Sequence, residues 1–297
     1  MLRPGALAIA LLMTGVLLIG GGAYGSPSLP PAIRVSGFQT PESVLHDQTA
    51  DVYLVSNING NPTAADDNGF ISRVAPNGRI LSLKWIDGAS ASITLNAPKG
   101  MAIVADTLFV TDITEVRMFD RRTGRAKGSL AIPGSTFLND AAAGPSGTVY
   151  VTDTGLNPDF SPSGTDAVYR IRNGTVSTVA RGAHLKNPNG ITVLGNGRLF
   201  VVTFTQTGET YTLLPSGQQQ QVRRLPKGQL DGVEVVQGLV TLVSSWAASA
   251  VYRVSGSSAR VVVANVQSPA DIGYDRKRNR VLIPIFMGNQ VVIQRLP

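Results

Sequence analysis

Six short segments of this sequence repeat one form and carry its chemistry. Pro41-Glu42-Ser43-Val44, Pro98-Lys99-Gly100-Met101, Leu138-Asn139-Asp140-Ala141, Pro188-Asn189-Gly190-Ile191, Leu230-Asp231-Gly232-Val233 and Pro269-Ala270-Asp271-Ile272 each run from Pro or Leu, through a variable residue and a small or acidic one, to an apolar one. The variable slots hold Glu42, Lys99, Asn139, Asn189, Asp231 and Ala270. Four of these offer oxygen donors, and two of the four are anionic. Hard oxygen donors without His or Cys suit Ca²⁺, Mg²⁺ or Mn²⁺ better than copper, and they also accept Zn²⁺. A polar substrate site would draw on the same groups. Asn-Gly and Asp-Gly are also ordinary turn dipeptides, but turn chemistry gives no reason for Glu in the first slot or for acids and amides in four matched slots.

The elements that position these residues follow from the repeat. The segments recur 57, 40, 50, 42 and 39 residues apart. Each is followed by a second apolar run, at Val52–Val55, Thr107–Val110, Thr148–Val151, Arg198–Val202, Leu239–Val243 and Arg280–Ile285. Most units add a third and a fourth run, such as Ala167–Ile171 and Thr175–Val179 around the hairpin dipeptide Asn173-Gly174. Short β-branched runs punctuated by Gly, Pro, Asn and Asp, with no helical period, predict an all-β chain. Four strands repeated six times predict a six-bladed β-propeller of four-stranded antiparallel blades. The last unit lacks a fourth strand, whereas Ile33–Gly37 is a strand-like run with no partner of its own. That run is expected to complete the final blade and to close the ring, leaving no open edge there.

In such a meander the loop entering strand one and the loop leaving strand two lie on the same face. The six variable residues therefore form a ring at one central mouth. Loops after strand two add Asn57, Asn59, Asp112, Asp153, Thr154, Thr203, Ser245, Trp246, Phe286 and Asn289 around it. Asn57 and Trp246 join Asn139, Lys99 and Phe137 as candidate substrate contacts, while Asp112 and Asp153 read as strand-end turn acceptors. The insertion from Asn59 to Gly69 is expected to be the longest loop on this face and a candidate lid.

The chain opens with Arg3, an apolar run from Ala6 to Ile19 and small residues ending at Gly25. This is the layout of a secretory signal over residues 1–25, with a single domain over 26–297 and a periplasmic or secreted location. An uncleaved leader would instead serve as an N-terminal anchor. No later segment is long and apolar enough to span a membrane. The chain has no cysteine, which removes disulfides, thiol catalysis and thiolate metal sites. Its formal charge of +7 does not indicate nucleic acid, because the tightest basic cluster, Arg276 to Arg280, has no aromatic interleaving and reads as a solvated turn. A small-molecule substrate is expected, and a protein partner stays open.

The set Glu42, Asn139-Asp140, Asn189-Gly190 and Asp231-Gly232, each opening one repeat, resembles the senescence marker protein/gluconolactonase (regucalcin-like) family of six-bladed propellers over nearly the whole chain after the leader. The resemblance implies that Glu42, Asn189 and Asp231 bind one divalent cation, commonly Ca²⁺, and that Asn139 contacts metal or substrate. It implies further that the metal polarises a lactone carbonyl or its attacking water, with Asp231 as general base, to release a hydroxy acid. Two positions depart from the pattern. Members acting on sugar lactones carry an Arg two residues before the third-blade Asn, where this chain has Phe137, which fits a more apolar lactone or ester. Lys99 places an ammonium in the ring, able to repel the cation, to replace it by pairing with Glu42 or Asp231, or to bind a substrate anion.

Other schemes find little footing. There is no Gly-x-Ser-x-Gly elbow and no P-loop. The two histidines fall apart, His46 in a turn on the opposite face and His184 on the approach to the fourth blade. The sequence thus points to an exported metal-dependent hydrolase of lactones or related esters. Its rivals are a non-catalytic extracytoplasmic propeller that binds a protein, glycan or small ligand, and a strictosidine-synthase-like propeller that uses an acid without metal.

Overall fold

The computed structural model describes residues 30–214 and 216–297. The expected leader at 1–25 lies outside the described residues. Within them no helix is long and apolar enough to cross a membrane.

The apolar runs form six four-stranded antiparallel sheets, one per repeat. The first blade is Pro41–Asp47, Val52–Asn57, Phe70–Val74 and Ile80–Asp87, and the next four follow the same meander. Asn173 and Gly174 both take positive φ, as a primed hairpin turn needs. In the sixth blade Gly273–Asp275, Arg280–Ile285 and Gln290–Arg295 are joined by Ile33–Ser36, so the expected N-terminal closure is present. Each of six buried apolar clusters draws on two neighbouring blades, as with Ala102 and Val116 against Val149 and Tyr169. The core is therefore six wedges, one between each pair of neighbouring blades.

Blades one and six are also clasped by polar contacts. The Tyr53 hydroxyl donates to Asp275 at 2.6 Å, and Arg278 bridges Asp275 (2.9 Å) and Asp51 (2.6 Å). Main-chain bonds cross the same seam, from Val44 N–H to the Asp271 carbonyl and from Asp271 N–H to the Glu42 carbonyl. The Arg276–Arg280 stretch is consequently not the freely solvated turn its composition suggests. Lys277 and Arg278 both pair with Asp51, Arg276 donates to the carbonyls of Val235 and Val236, and Arg280 donates to that of Pro76. His46 lies within the first strand rather than in a turn.

The repeated tetrapeptide has a local structure of its own. In blades one to five the pairing of strand one with strand two breaks at the same place. Pro41 faces Asn57 and Val44 faces Val55, so Glu42 and Ser43 oppose the single residue Ser56. This is a β-bulge, which re-aims side chains, and it falls on the variable slot in every case. Strand-two hydroxyls hold the bulges, since Ser56, Thr152 and Ser244 accept from the N–H of Ser43, Asp140 and Gly232. Thr111, Thr152 and Ser244 also donate to the carbonyls of Asn139, Asn189 and Ala270 in the next blade. The small third residue reflects crowding at the axis. A Cβ on Gly190 would lie 2.2 Å from the Asp231 carbonyl oxygen, and one on Gly232 would lie 2.3 Å from the Ile272 nitrogen.

Candidate cation and substrate site

The bulges turn five of the six variable residues into one cavity of about 310 Å³ at the mouth of the ring. Glu42, Lys99, Asn139, Asn189 and Asp231 line it, whereas Ala270 is buried outside its lining. Four side-chain oxygens there are buried without a hydrogen-bond partner: Glu42 Oε2, Asn139 Oδ1, Asn189 Oδ1 and Asp231 Oδ1. Buried polar atoms are almost always satisfied, so four orphans from four different blades at one cavity mark a place built for a ligand.

Two neighbours fix the orientation of two of the orphans. Asn139 donates its Nδ2 hydrogen to Thr154 Oγ1 at 3.0 Å, which leaves its Oδ1 toward the cavity. Trp246 Nε1 donates to Asp231 Oδ2 at 2.7 Å, which leaves Oδ1 as the open oxygen. Burial pushes the Glu42 carboxyl well above the usual range, and the carboxylates of Asp231 and Asp271 push it further. Burial and Asp271 likewise raise Asp231, against the Trp246 hydrogen bond. Two buried acids that repel each other are stabilised in their charged form by a cation between them.

The donor set fits a hard divalent cation. Among the described residues no three His, Cys, Asp or Glu side chains gather at a metal-binding spacing, so such an ion would rest on two carboxylates and two amides. All four donors are oxygens, the preference of Ca²⁺ and Mg²⁺.

Lys99 is held by carbonyls rather than by the two acids. Its ammonium donates to the carbonyls of Pro62 (3.0 Å) and Ala97 (3.1 Å) and sits 4.5 Å from the centre of the Phe137 ring. Among the described residues it makes no ion pair with Glu42 or Asp231, and burial lowers its pKa. Its geometric role is to tie the Asn59–Gly69 insertion to the mouth. That insertion is not the longest loop on this face, because the connection over residues 154–166 exceeds the one over 58–69 by a residue.

Asn57 lies outside the cavity. Its amide is consumed within the first blade, by Val55 and Phe70 carbonyls, Ser72 Oγ and the N–H of Gln39. Asp112 and Asp153 are the strand-end acceptors expected, receiving Asn96 and Ala97 N–H in one case and Thr136, Phe137 and Gly155 N–H in the other. Phe137, Thr154, Trp246 and Phe286 do reach the cavity, whereas Thr203, Ser245 and Asn289 do not line it.

Ile58, Phe204, Leu156 and Phe160 complete the wall, and sequence reasoning passed over them. A signal existed for two. The residue just after strand two is Ile58, Thr154, Phe204, Trp246 or Phe286 in blades one and three to six. Its N–H bonds at 2.9–3.1 Å to the loop that enters its own blade, on the carbonyls of Thr40, Phe137, Asn187, Gln229 and Ser268. The position recurs 15 or 16 residues after each variable residue. Leu156 and Phe160 belong to the 154–166 connection and follow no repeat.

No family model matches the chain, and no curated protein matches it in sequence. Solved structures do resemble it in three dimensions. A gluconolactonase from Xanthomonas campestris is 16% identical, with a TM-score of 0.60 over 91% of this chain and 99% of that one. Regucalcin from Agrobacterium tumefaciens, a calcium-binding protein, is 13% identical, with a TM-score of 0.62 over 89% of this chain and 93% of that one. Virginiamycin B lyase from Staphylococcus aureus is 13% identical, with a TM-score of 0.64 over 90% and 99%. What the chain shares with the gluconolactonase, regucalcin and lyase structures, at these identities, is the six-bladed β-propeller fold.

Proposed function

We propose that this protein is an exported, divalent-cation-dependent hydrolase of lactones or related esters. The observation that carries the reading is the quartet of unpartnered buried oxygens on Glu42, Asn139, Asn189 and Asp231. The fold shared with gluconolactonase and the calcium-binding protein regucalcin supports it, as does the order of acids and amides in the repeat. A cation held by these oxygens, Ca²⁺ foremost, would supply positive charge able to polarise the carbonyl under attack. Asn139, braced by Thr154, presents its amide oxygen to the cavity, where it would meet ion or substrate. Asp231 is the general base that accepts the proton of the attacking water, and the Trp246 N–H holds its carboxylate in orientation. The hydrocarbon wall keeps bulk water from the reacting carbonyl and strengthens the electrostatics inside. The proposed export rests on the signal-like layout of residues 1–25.

The test is thermal melting with Ca²⁺, Mg²⁺, Mn²⁺ and Zn²⁺, followed by a lactone and aryl-ester panel. An ion at 100 times its Kd stabilises the native state by about 2.7 kcal/mol. The shift is expected in the parent protein and lost in Glu42→Gln and Asp231→Asn. No shift with any of the four ions overturns the proposal.

A further inference from the structure

Resting on that hydrolase reading, we propose that the substrate is an ester or lactone with a long apolar arm, bound between two aromatic walls, and that polyhydroxylated sugar lactones are poor ligands. One wall is Phe137 and Phe160, edge to face at 6.3 Å, with Leu156 beside them. The other is Phe204, Trp246 and Phe286, with Trp246 5.5 Å from the first ring and 5.3 Å from the second. Edge-to-face and tilted aromatic contacts of this kind present hydrocarbon surface to a ligand.

The decisive point is how the polar groups are employed. Beyond the two acids and two amides, the polar side chains lining the cavity already have partners. Thr154 Oγ1 donates to the Pro188 carbonyl and accepts from Asn139. Lys99 donates to Pro62 and Ala97, and the Trp246 N–H goes to Asp231. With the two acids and two amides turned toward a cation, few groups of the wall remain to receive the several hydroxyls of a sugar, and buried hydroxyls without partners oppose binding. The hydrocarbon also continues outward. Phe160 is 51% exposed and Met287 is 75% exposed at the rim, so an arm longer than the cavity keeps apolar contact as it leaves the mouth.

Binding is separable from turnover because Trp246 sits in the wall. In a Trp85→Phe background it is the sole indole, and its fluorescence is titrated with 1-butanol, 1-hexanol, 1-octanol and 1-decanol in the Ca²⁺-supplied full chain. Affinity is expected to rise about 4-fold per CH₂, with a shallower slope in Phe160→Ala and Phe204→Ala. In parallel, kcat/KM is measured for γ-butyrolactone, γ-octalactone, γ-dodecalactone and glucono-1,5-lactone. It is expected to climb with the alkyl arm and to be lowest for the gluconolactone, and Phe204→Ala is expected to cut the dodecalactone value at least about tenfold more than the butyrolactone value. Decanol binding no tighter than butanol overturns the inference, and so does a preference for gluconolactone. Chain-length-dependent binding without turnover of any lactone supports the apolar-arm site and removes the hydrolase reading instead.

Discussion

Trp246 Nε1 lies 2.7 Å from Asp231 Oδ2, so one indole N–H decides which oxygen of a buried carboxylate stays open to the cavity. The same ring packs on Phe204 and Phe286. One side chain therefore joins the oxygen cluster to the apolar wall.

Trp246→Phe keeps the aromatic packing and deletes the donor. It leaves a second buried oxygen on Asp231 unsatisfied, at a cost of about 1–3 kcal/mol. The Asp231 carboxyl rises further, the ionised form becomes scarcer, and Ca²⁺ affinity is expected to fall about 5- to 150-fold. Isothermal titration measures this directly. An unchanged Kd would show that the indole bond does not position the ligand.

Asp140 has a different task from its neighbour Asn139. It accepts the N–H of Ala141 at 2.6 Å and that of Ile191, in the next blade, at 2.7 Å. Asp140→Ala strands both donors near the axis, and urea denaturation is expected to show a loss of about 1–3 kcal/mol for each. Asp140→Asn keeps one acceptor and should recover part of that loss.

Gly232→Ala tests the crowding behind the bulge. The new Cβ would stand 2.3 Å from the Ile272 nitrogen and 2.6 Å from the Asp271 Cα, which are backbone atoms with no room to rotate away. Overpacking of this kind costs roughly 1–3 kcal/mol or more. The melting temperature should fall, and Asp231, which adjoins the strained residue, should bind Ca²⁺ less tightly in the same variant. A melting point equal to that of the parent would mean that blades five and six part easily.

Glu209 sets an acid limit on stability. Burial alone would raise its pKa, but hydrogen bonds from Thr207 and Thr205 and the Lys186 ammonium prevail and bring it down to about 2 from an ordinary 4.5. A carboxyl depressed on folding contributes stability that is complete above pH 4.5 and is lost as pH falls toward 2. Glu209→Gln should therefore flatten the decline of stability between pH 5 and 2, as followed by thermal melts across that window. An equal decline in both proteins would exclude Glu209 as a source of acid sensitivity.

The fold was legible because one tetrapeptide, spaced at blade intervals, is dictated by geometry at the axis. Its apolar fourth residue packs between blades, and its small third residue yields to backbone only about 2 Å from where a Cβ would stand. The second residue is not fixed by crowding at the axis, so its chemistry was free to report on the site, and Glu42, Asn139, Asn189 and Asp231 all line one cavity. The bulge that aims them was hidden, because a two-against-one pairing leaves no mark in composition. Asn57 misled because an amide at a strand end reads alike whether it serves a ligand or its own sheet. Phe204 and Ile58 went unseen because an apolar residue after an apolar strand looks like more strand. Phe160 lies in a connection that belongs to no repeat.

The pairing of Ile33–Ser36 with Gln290–Arg295 also has a temporal side. During synthesis the first of these strands emerges some 250 residues ahead of its partner, and until then the sixth blade lacks its outer edge and the first blade lacks its neighbour. The four oxygens come from blades that can be held in a circle only after that last strand arrives. The ring therefore closes only once residues 290–295 have been made, long after the strand with which they pair.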